Sequence, residues 1–236
     1  MLDKTLIKEK FTSSIDSYDD NAIIQELMAK KLISLLPSYD FDNILEIGSY
    51  SGILTKKIIK KCQFKNYLAV DIIDSFNKIQ NLSEKIQFQK IDIEKFTTSE
   101  KFNLIIANAS LQWCENFKDT VKKLKSYLTK NGILAITTFA TDNFYEIRET
   151  FNVSLKYNTI SELEEIFSPK AQITQEIYTL QFKNPNQILK HLKLTGVNAV
   201  TNNELSITQI KRALVKLENE FQNKLTYKPI YIIFKA

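Results

Sequence analysis

A doubly wound α/β fold, with a mostly parallel sheet covered by helices on both faces, is predicted by three features of this sequence. A short apolar run, Asn43 to Gly48, ends in a glycine turn and feeds a helical pattern from Gly52 to Lys61. Four more short apolar runs alternate with helical or turn segments as far as Phe139. No Pro/Gly/Ser-rich tract divides the 236 residues, so one core carrying an insertion is expected.

The elements follow in order. Asp16 to Leu36 reads as a helix, because Ala22, Ile24, Leu27, Met28, Leu32 and Leu35 recur at spacings of three and four before Pro37. After the first strand, turn and helix, Asn66 to Asp71 is a second buried strand and Asp74 to Leu82 a short helix. Lys85 to Asp92 alternates loosely and is the third strand. Phe102 to Asn108 is almost continuously apolar, as a parallel strand covered on both faces must be. Asn116 to Leu128 is helical, and Asn131-Gly132 turns the chain into a fifth strand, Ile133 to Phe139. Beyond Asn143 the pattern changes: helices at Asn143 to Leu155 and Ile160 to Phe167, a long strand from Ala171 to Phe182, helices at Pro185 to Thr195 and Ile207 to Phe221, and a last strand from Leu225 to Lys235. The two late strands bring the sheet to seven and imply an antiparallel edge strand, with a helical lid (184–224) inserted between them. Residues 1–36 form an N-terminal helical cap and 41–140 a cofactor-binding core within one domain, 1–236.

Composition narrows the function. The formal charge is +5, but arginine occurs only at Arg148 and Arg212, so 30 of the 32 basic residues are lysine, scattered along the chain. Nucleic-acid recognition calls for arginine forks and clustered basic residues, and none is expected here. Apolar runs such as Leu104 to Ala107 are far short of the roughly 20 residues that cross a bilayer. The charged start lacks the apolar stretch of a secretory signal, so a cytoplasmic address without membrane contact is expected. Cys62 and Cys114 provide neither a disulfide framework nor a zinc site, and no metal is expected.

The chemistry centres on Glu46-Ile47-Gly48-Ser49-Tyr50-Ser51-Gly52, a glycine turn between strand and helix that lets backbone amides approach a ligand. Nicotinamide enzymes carry G-x-G-x-x-G there; this chain has E-x-G-x-x-x-G. Asp71 closes the second strand 19 residues after Gly52, where a carboxylate can accept both hydrogen bonds of a ribose diol. Asp92-Ile93 closes the third strand, and the fourth ends in Ala107-Asn108-Ala109-Ser110-Leu111-Gln112-Trp113-Cys114.

These motifs resemble those of the Rossmann-like class I S-adenosylmethionine methyltransferases. The resemblance implies S-adenosylmethionine as cofactor and S-adenosylhomocysteine as product, held by Glu46, Gly48, Ser49 and Gly52, by Asp71 and Ile72 at the ribose, by Asp92 and Ile93 at the adenine, and by Asn108. One departure is Tyr50, at the usual middle glycine; a positive φ there costs a tyrosine roughly 1 to 2 kcal/mol.

Asn108 to Trp113 resembles two carboxylate-methylating groups, the trans-aconitate and the malonyl-acyl-carrier-protein O-methyltransferases. Phe11, Tyr18, Ala22 and Gln25, with Cys114, Thr137-Thr138-Phe139, Leu192-Lys193-x-x-Gly196 and Leu225-Thr226-Tyr227, are similar to the second group, from biotin synthesis, over nearly the whole chain. That implies methylation of the free carboxylate of malonyl-acyl-carrier protein, or of malonyl-CoA. A trans-aconitate-type enzyme and a non-catalytic cofactor-binding protein stay open as alternatives.

A malonyl carboxylate, with a pKa near about 4, is ionised at pH 7 and needs no base. It needs a clamp, for which Arg148 and Lys193 are the candidate cations and Tyr18 the candidate hydroxyl. Tyr18 and Trp113 are expected to position the acceptor and Phe139 to wall it. His191, the single histidine, reads as a helix-surface residue.

Overall fold

The computed structural model of the protein describes residues 2–197 and 205–236; part of the expected insertion, 198–204, lies outside the described residues. Helices α1 (Lys4–Ser14), α2 (Tyr18–Asn21) and α3 (Ile23–Ser34) precede β1 (Asp40–Ile47), α4 (Ile53–Lys61), β2 (Gln63–Asp71), α5 (Phe76–Ile79) and β3 (Ile86–Lys90). β4 (Phe102–Asn108), α6 (Phe117–Ser126), β5 (Leu128–Phe139), α7 (Tyr145–Phe151) and α8 (Ile160–Phe167) follow. The chain ends with β6 (Ala171–Gln175), β7 (Tyr178–Gln181), α9 (Pro185–Leu194), α10 (Ile207–Asn219), β8 (Lys224–Tyr227) and β9 (Pro229–Lys235).

Seven strands form one sheet in the order β3-β2-β1-β4-β5-β9-β6. The first five are mutually parallel, and β9 runs antiparallel to both its neighbours. The mostly parallel, seven-stranded class I methyltransferase fold is therefore present, although the antiparallel strand lies one in from the edge, inside β6. β4 shows why both faces are covered. Leu104 and Ile106 enter the core under α3 and α4, while Ile105 and Ala107 enter the core under α6 and α8, all fully buried. Strand order reverses between β1 and β4, so the carboxyl ends of these two strands open a crevice, the usual ligand position in such sheets.

Four differences from the sequence reading have local causes. The helix expected over Asp16 to Leu36 is broken at Ala22 (ψ 43°), and α1 stands before it. Of its residues only Ile7 and Ser14 are buried, so α1 carries no apolar stripe for periodicity to detect. The expected turn at Asn131-Gly132 is instead a left-handed residue, Asn131 (φ 65°), inside β5, which begins at Leu128 and shifts register opposite Phe102 to Leu104. The helix expected over Asn143 to Leu155 shortens to α7.

Each late strand is also split in two. The inner parts, β6 and β9, join the main sheet, and the outer parts, β7 and β8, pair as a separate two-stranded sheet that carries α9 and α10 between them. Pro229 marks one break: it has no amide to donate and opens β9, while the Lys228 amide donates to the Asn143 side chain (2.9 Å). No helix among the described residues is long and apolar enough to cross a membrane.

Candidate active site

The β1–α4 turn is built by close backbone approach. Gly48 lies at φ +73°, and a Cβ there would stand 2.4 Å from the Ser110 Cβ, so no other residue fits without moving the loop after β4. The Gly48 amide donates to the Val70 carbonyl (2.8 Å). Asp71 then reaches the turn itself. One carboxylate oxygen accepts from the Tyr50 amide (2.9 Å) and the other from the Ile73 amide (2.7 Å). Burial pushes Asp71 up to about 6, against the opposing pull of those amides. Each oxygen keeps a lone pair, which is what two vicinal hydroxyls require.

Tyr50 does adopt a left-handed backbone (φ 39°). Its side chain provides the compensation. The Tyr50 hydroxyl donates to the Phe11 carbonyl (2.6 Å) and lies 3.1 Å from the Ser14 hydroxyl, and its ring meets Phe11 and Tyr18 edge-on at 5.5 and 4.7 Å. The residue that departs from the glycine pattern thus fastens the N-terminal helices over the crevice. A second fastening lies across the cleft, where Lys4 pairs with Asp92 (2.5 Å) and with Glu94. Burial would raise Asp92, yet the Lys4 ammonium and the Glu94 amide hold it below the usual carboxylate value. The cap also packs on the insertion, where Gly196 (φ +70°) leaves room for Phe11 and Ser14.

Glu46 lies beneath the turn and does not line the cleft. One oxygen accepts from Thr55 on α4 (2.6 Å) and Tyr67 on β2 (2.5 Å), tying helix and strand to β1; the other is buried without a partner. Burial pushes Glu46 up to about 7, against those two hydroxyls. Because this lies above the ordinary value of 4.5, its contribution to stability is fully present below pH 4.5 and is lost as pH rises through about 7. Glu46→Gln is therefore expected to shift the melting temperature upward, relative to the parent, more at pH 8 than at pH 5. An equal shift at both pH values would show that Glu46 is not a buried titrating group.

The cleft is walled by Gly48, Asp71, Ile72, Asp92, Ile93 and Asn108 of the expected cofactor residues. Ser49 and Gly52 are not among its walls: Ser49 is buried and Gly52 (φ +83°) starts α4. The Asn108 side chain is already engaged, donating to the Gln25 carbonyl (2.9 Å) and accepting from Thr137 (2.8 Å), which fixes α3 against β4 and β5.

Trp113 stands between this cleft and a second cavity of about 200 Å³, lining both. Phe139, Phe144, Ile147 and Leu192 make the second chamber apolar, and Gln25, Asn143, Tyr157 and Tyr227 bring polar groups into it. Among the described residues no charged side chain lines it. The Tyr227 hydroxyl lies 2.6 Å from His191 Nε2, and Asn143 donates to the Tyr157 hydroxyl (3.3 Å). Burial raises Tyr227 far above the ordinary phenol value, with the Tyr18 and Tyr157 hydroxyls adding to the effect, so these groups stay protonated at neutral pH.

The structure gathers Tyr18, Trp113 and Phe139 around the two cavities but not the two expected cations. Arg148 is exposed and paired with Glu149 (3.1 Å), because α7 turns Glu146 and Ile147 inward. Lys193 is exposed, because α9 buries Ile188, His191 and Leu192. His191, expected on the surface, is 8% exposed on that inner face, and burial lowers it to about 4. Spacing to Ile188 and Leu192 was the available signal for its burial. Lys4 and Tyr157 carry no motif, and nothing local in the sequence reveals their place.

The groups around the cleft suit the nucleoside that the motifs imply: a carboxylate to accept from a diol at Asp71, open backbone at Gly48, and the apolar Ile72 and Ile93 for a flat base. The space between them is about 120 Å³, below the roughly 300 Å³ at which ligand pockets begin. Ile7 and Phe11 of α1 form the outer wall of this space.

Comparison with known proteins agrees with this geometry. Residues 21–176 match the family model of a methyltransferase domain. The malonyl-[acyl-carrier protein] O-methyltransferase of Calditerrivibrio nitroreducens is 33% identical over 96% of this chain and 94% of its own length. That of Acinetobacter baylyi is 30% identical over 98% and 96%. Among solved structures, the N-methyltransferase NodS of Bradyrhizobium japonicum, in complex with S-adenosyl-L-homocysteine, shares the fold with a TM-score of 0.60 at 16% identity over 98% of both chains. With a methyltransferase domain across two thirds of its length and relatives of one name along nearly all of it, this chain belongs to the S-adenosylmethionine-dependent malonyl-[acyl-carrier protein] O-methyltransferase family.

Proposed function

We propose that this chain methylates the free carboxylate of a malonyl thioester borne on acyl-carrier protein, the acceptor that its relatives' names carry, as an early step of biotin synthesis in the cytoplasm. The observation that carries the reading is the chamber, with no charged side chain among its described walls, that shares Trp113 with the cofactor cleft. S-adenosylmethionine, when bound, supplies a methyl on a sulfonium, which a carboxylate oxygen accepts while the electron pair of the carbon–sulfur bond stays on sulfur.

The residues of the chain then have to align and desolvate, not to move protons. The acceptor is an anion already, and no effective base faces it among the described residues: burial lowers His191 to about 4, which makes it a weak base, and its Nε2 is engaged with Tyr227. Tyr18, Tyr157 and Tyr227 offer neutral hydroxyl donors in place of a lysine or arginine clamp. That choice suits the reaction, because an anion and a cation become two neutral products. Opposite charges attract more strongly where the surroundings are apolar, and a fixed ammonium beside the carboxylate would blunt its nucleophilicity. Asp71 at the ribose, Ile72, Asp92 and Ile93 around the base, and Gly48 at the turn hold the cofactor in this reading, with Glu46, Ser49 and Gly52 supporting the turn from behind.

Tyr50, the departure from the glycine pattern that would suggest a degenerate site, has a structural task in holding the cap, which argues against the non-catalytic alternative. The test is transfer of labelled methyl from S-adenosylmethionine, comparing malonyl-acyl-carrier protein with trans-aconitate, together with rescue of a biotin-requiring strain that lacks this step. Faster labelling of trans-aconitate, or label on neither acceptor and no rescue, would sink the reading.

A further inference from the structure

A groove of about 500 Å³ runs between the end of α7 and the face of α10, which pack together. Phe151, Val153, Ser154 and Leu205 line both this groove and the acceptor chamber, so the groove adjoins the chamber as an outer vestibule across a shared wall. Cleft, chamber and groove therefore lie in series, sharing Trp113 at one junction and these four residues at the other.

Charge changes sharply along the series. The described residues around the chamber carry none, whereas the vestibule carries Arg212 and Lys216, four apart and so on one side of α10. α10 buries Ala213 and Leu217, which turns its flank, not its back, toward the opening. Arg212 is one of only two arginines in the chain, is exposed, and has no carboxylate partner among the described residues. Lys216 donates to the Glu149 carbonyl (3.1 Å) and stands 3.8 Å from Glu220, so it is partly neutralised and held in place.

We propose that this vestibule binds the phosphate at the far end of the substrate's carrier arm, with Arg212 as the principal ligand and Lys216 as the second. The inference rests on the proposed acceptor. A malonyl thioester is carried on a phosphopantetheine arm, whose amide-and-methylene body is uncharged and whose phosphate is its one anion besides the acyl carboxylate. Such a ligand needs an apolar passage with a few polar groups and a cation where the passage ends, and the chamber and vestibule supply these in that order. A guanidinium is the side chain best matched to phosphate geometry, and a phosphate could not follow the acyl group into a chamber whose described walls carry no charge without heavy desolvation cost.

The test uses the full chain, Arg212→Ala and Arg212→Lys, with three acceptors: malonyl-acyl-carrier protein and malonyl-CoA, which both carry the phosphate, and malonyl-N-acetylcysteamine, which lacks it. Arg212→Ala is expected to raise KM about ten- to a hundredfold for the first two with kcat little changed. KM for the truncated thioester should stay within about twofold, and Arg212→Lys should recover part of the loss. Equal losses on all three acceptors, or no loss on any, overturn the assignment. A loss confined to the carrier protein also overturns it, since Arg212 would then touch protein and not phosphate. Calorimetry with phosphopantetheine separates this inference from the reading beneath it. If the parent protein methylates none of the three yet binds phosphopantetheine, and Arg212→Ala abolishes that binding, the phosphate site stands and the acceptor is wrong; no binding by the parent ends the phosphate site.

Discussion

Asp71→Ala is expected to weaken S-adenosylmethionine binding by more than about a hundredfold. Two hydrogen bonds from a diol to one carboxylate contribute about 1.5 to 3 kcal/mol each, and about 1.4 kcal/mol is a factor of ten. The same change also frees the Tyr50 and Ile73 amides that the carboxylate holds, so the turn loses its anchor to β2. The pH dependence adds a second readout. Asp71, pushed up to about 6 by burial, is protonated over the range in which most carboxylates are still ionised. A protonated carboxyl turns one acceptor into a donor, so affinity should fall as pH drops through about 6. Stability moves the other way: with a folded value above the ordinary 3.8, Asp71 stabilises the fold at low pH and loses that contribution as pH rises through about 6. Calorimetric titration of the parent protein and the variant at pH 8 and pH 5.5 reads the affinity, and thermal melts at the same pH values read the stability. Binding by Asp71→Ala within about threefold of the parent would mean that the diol lies elsewhere.

Trp113→Ala is expected to lower kcat by about a hundredfold or more while cofactor affinity changes by less than about tenfold. Trp113 lines both cavities and meets Phe11 of the cap edge-on at 5.5 Å, so in the proposed reaction it would set the distance between methyl donor and acceptor. Truncation joins the two cavities and lets the reacting atoms drift, and a misplacement of about 1 Å costs roughly a hundredfold in an aligned displacement. Trp113→Phe, which keeps a ring at the junction, should retain much of the rate. Steady-state kinetics alongside calorimetry distinguishes the outcomes; a loss of cofactor affinity as large as the loss of kcat would place Trp113 in the cofactor site alone.

The parallel core and the cofactor turn were legible because their signals are local. Continuous apolar runs, a glycine turn after the first strand and carboxylates at the ends of the second and third report backbone geometry within a few residues of themselves. Asp71 was expected beside the turn and lies 2.9 Å from its Tyr50 amide. Trp113 and Phe139, singled out by family resemblance, do line the chamber. The acceptor side was read less well. Charge suggested Arg148 and Lys193, and both point outward, because which face of α7 and α9 is buried depends on packing against β8 and the cap.

The amino-acid sequence by itself determined the order of the five parallel strands, the turn at Gly48 and the carboxylate that meets it, because periodicity and glycine act through neighbouring residues. Only the tertiary structure decided that Tyr50 and Lys4 fasten a cap, that Glu46 supports the turn from below, that His191 is buried against Tyr227, and that three cavities stand in line. Each of these depends on side chains brought together from 9 to 90 positions apart, or on a ring of residues from several elements. Contacts over such separations follow from how whole faces pack, and no local pattern encodes them.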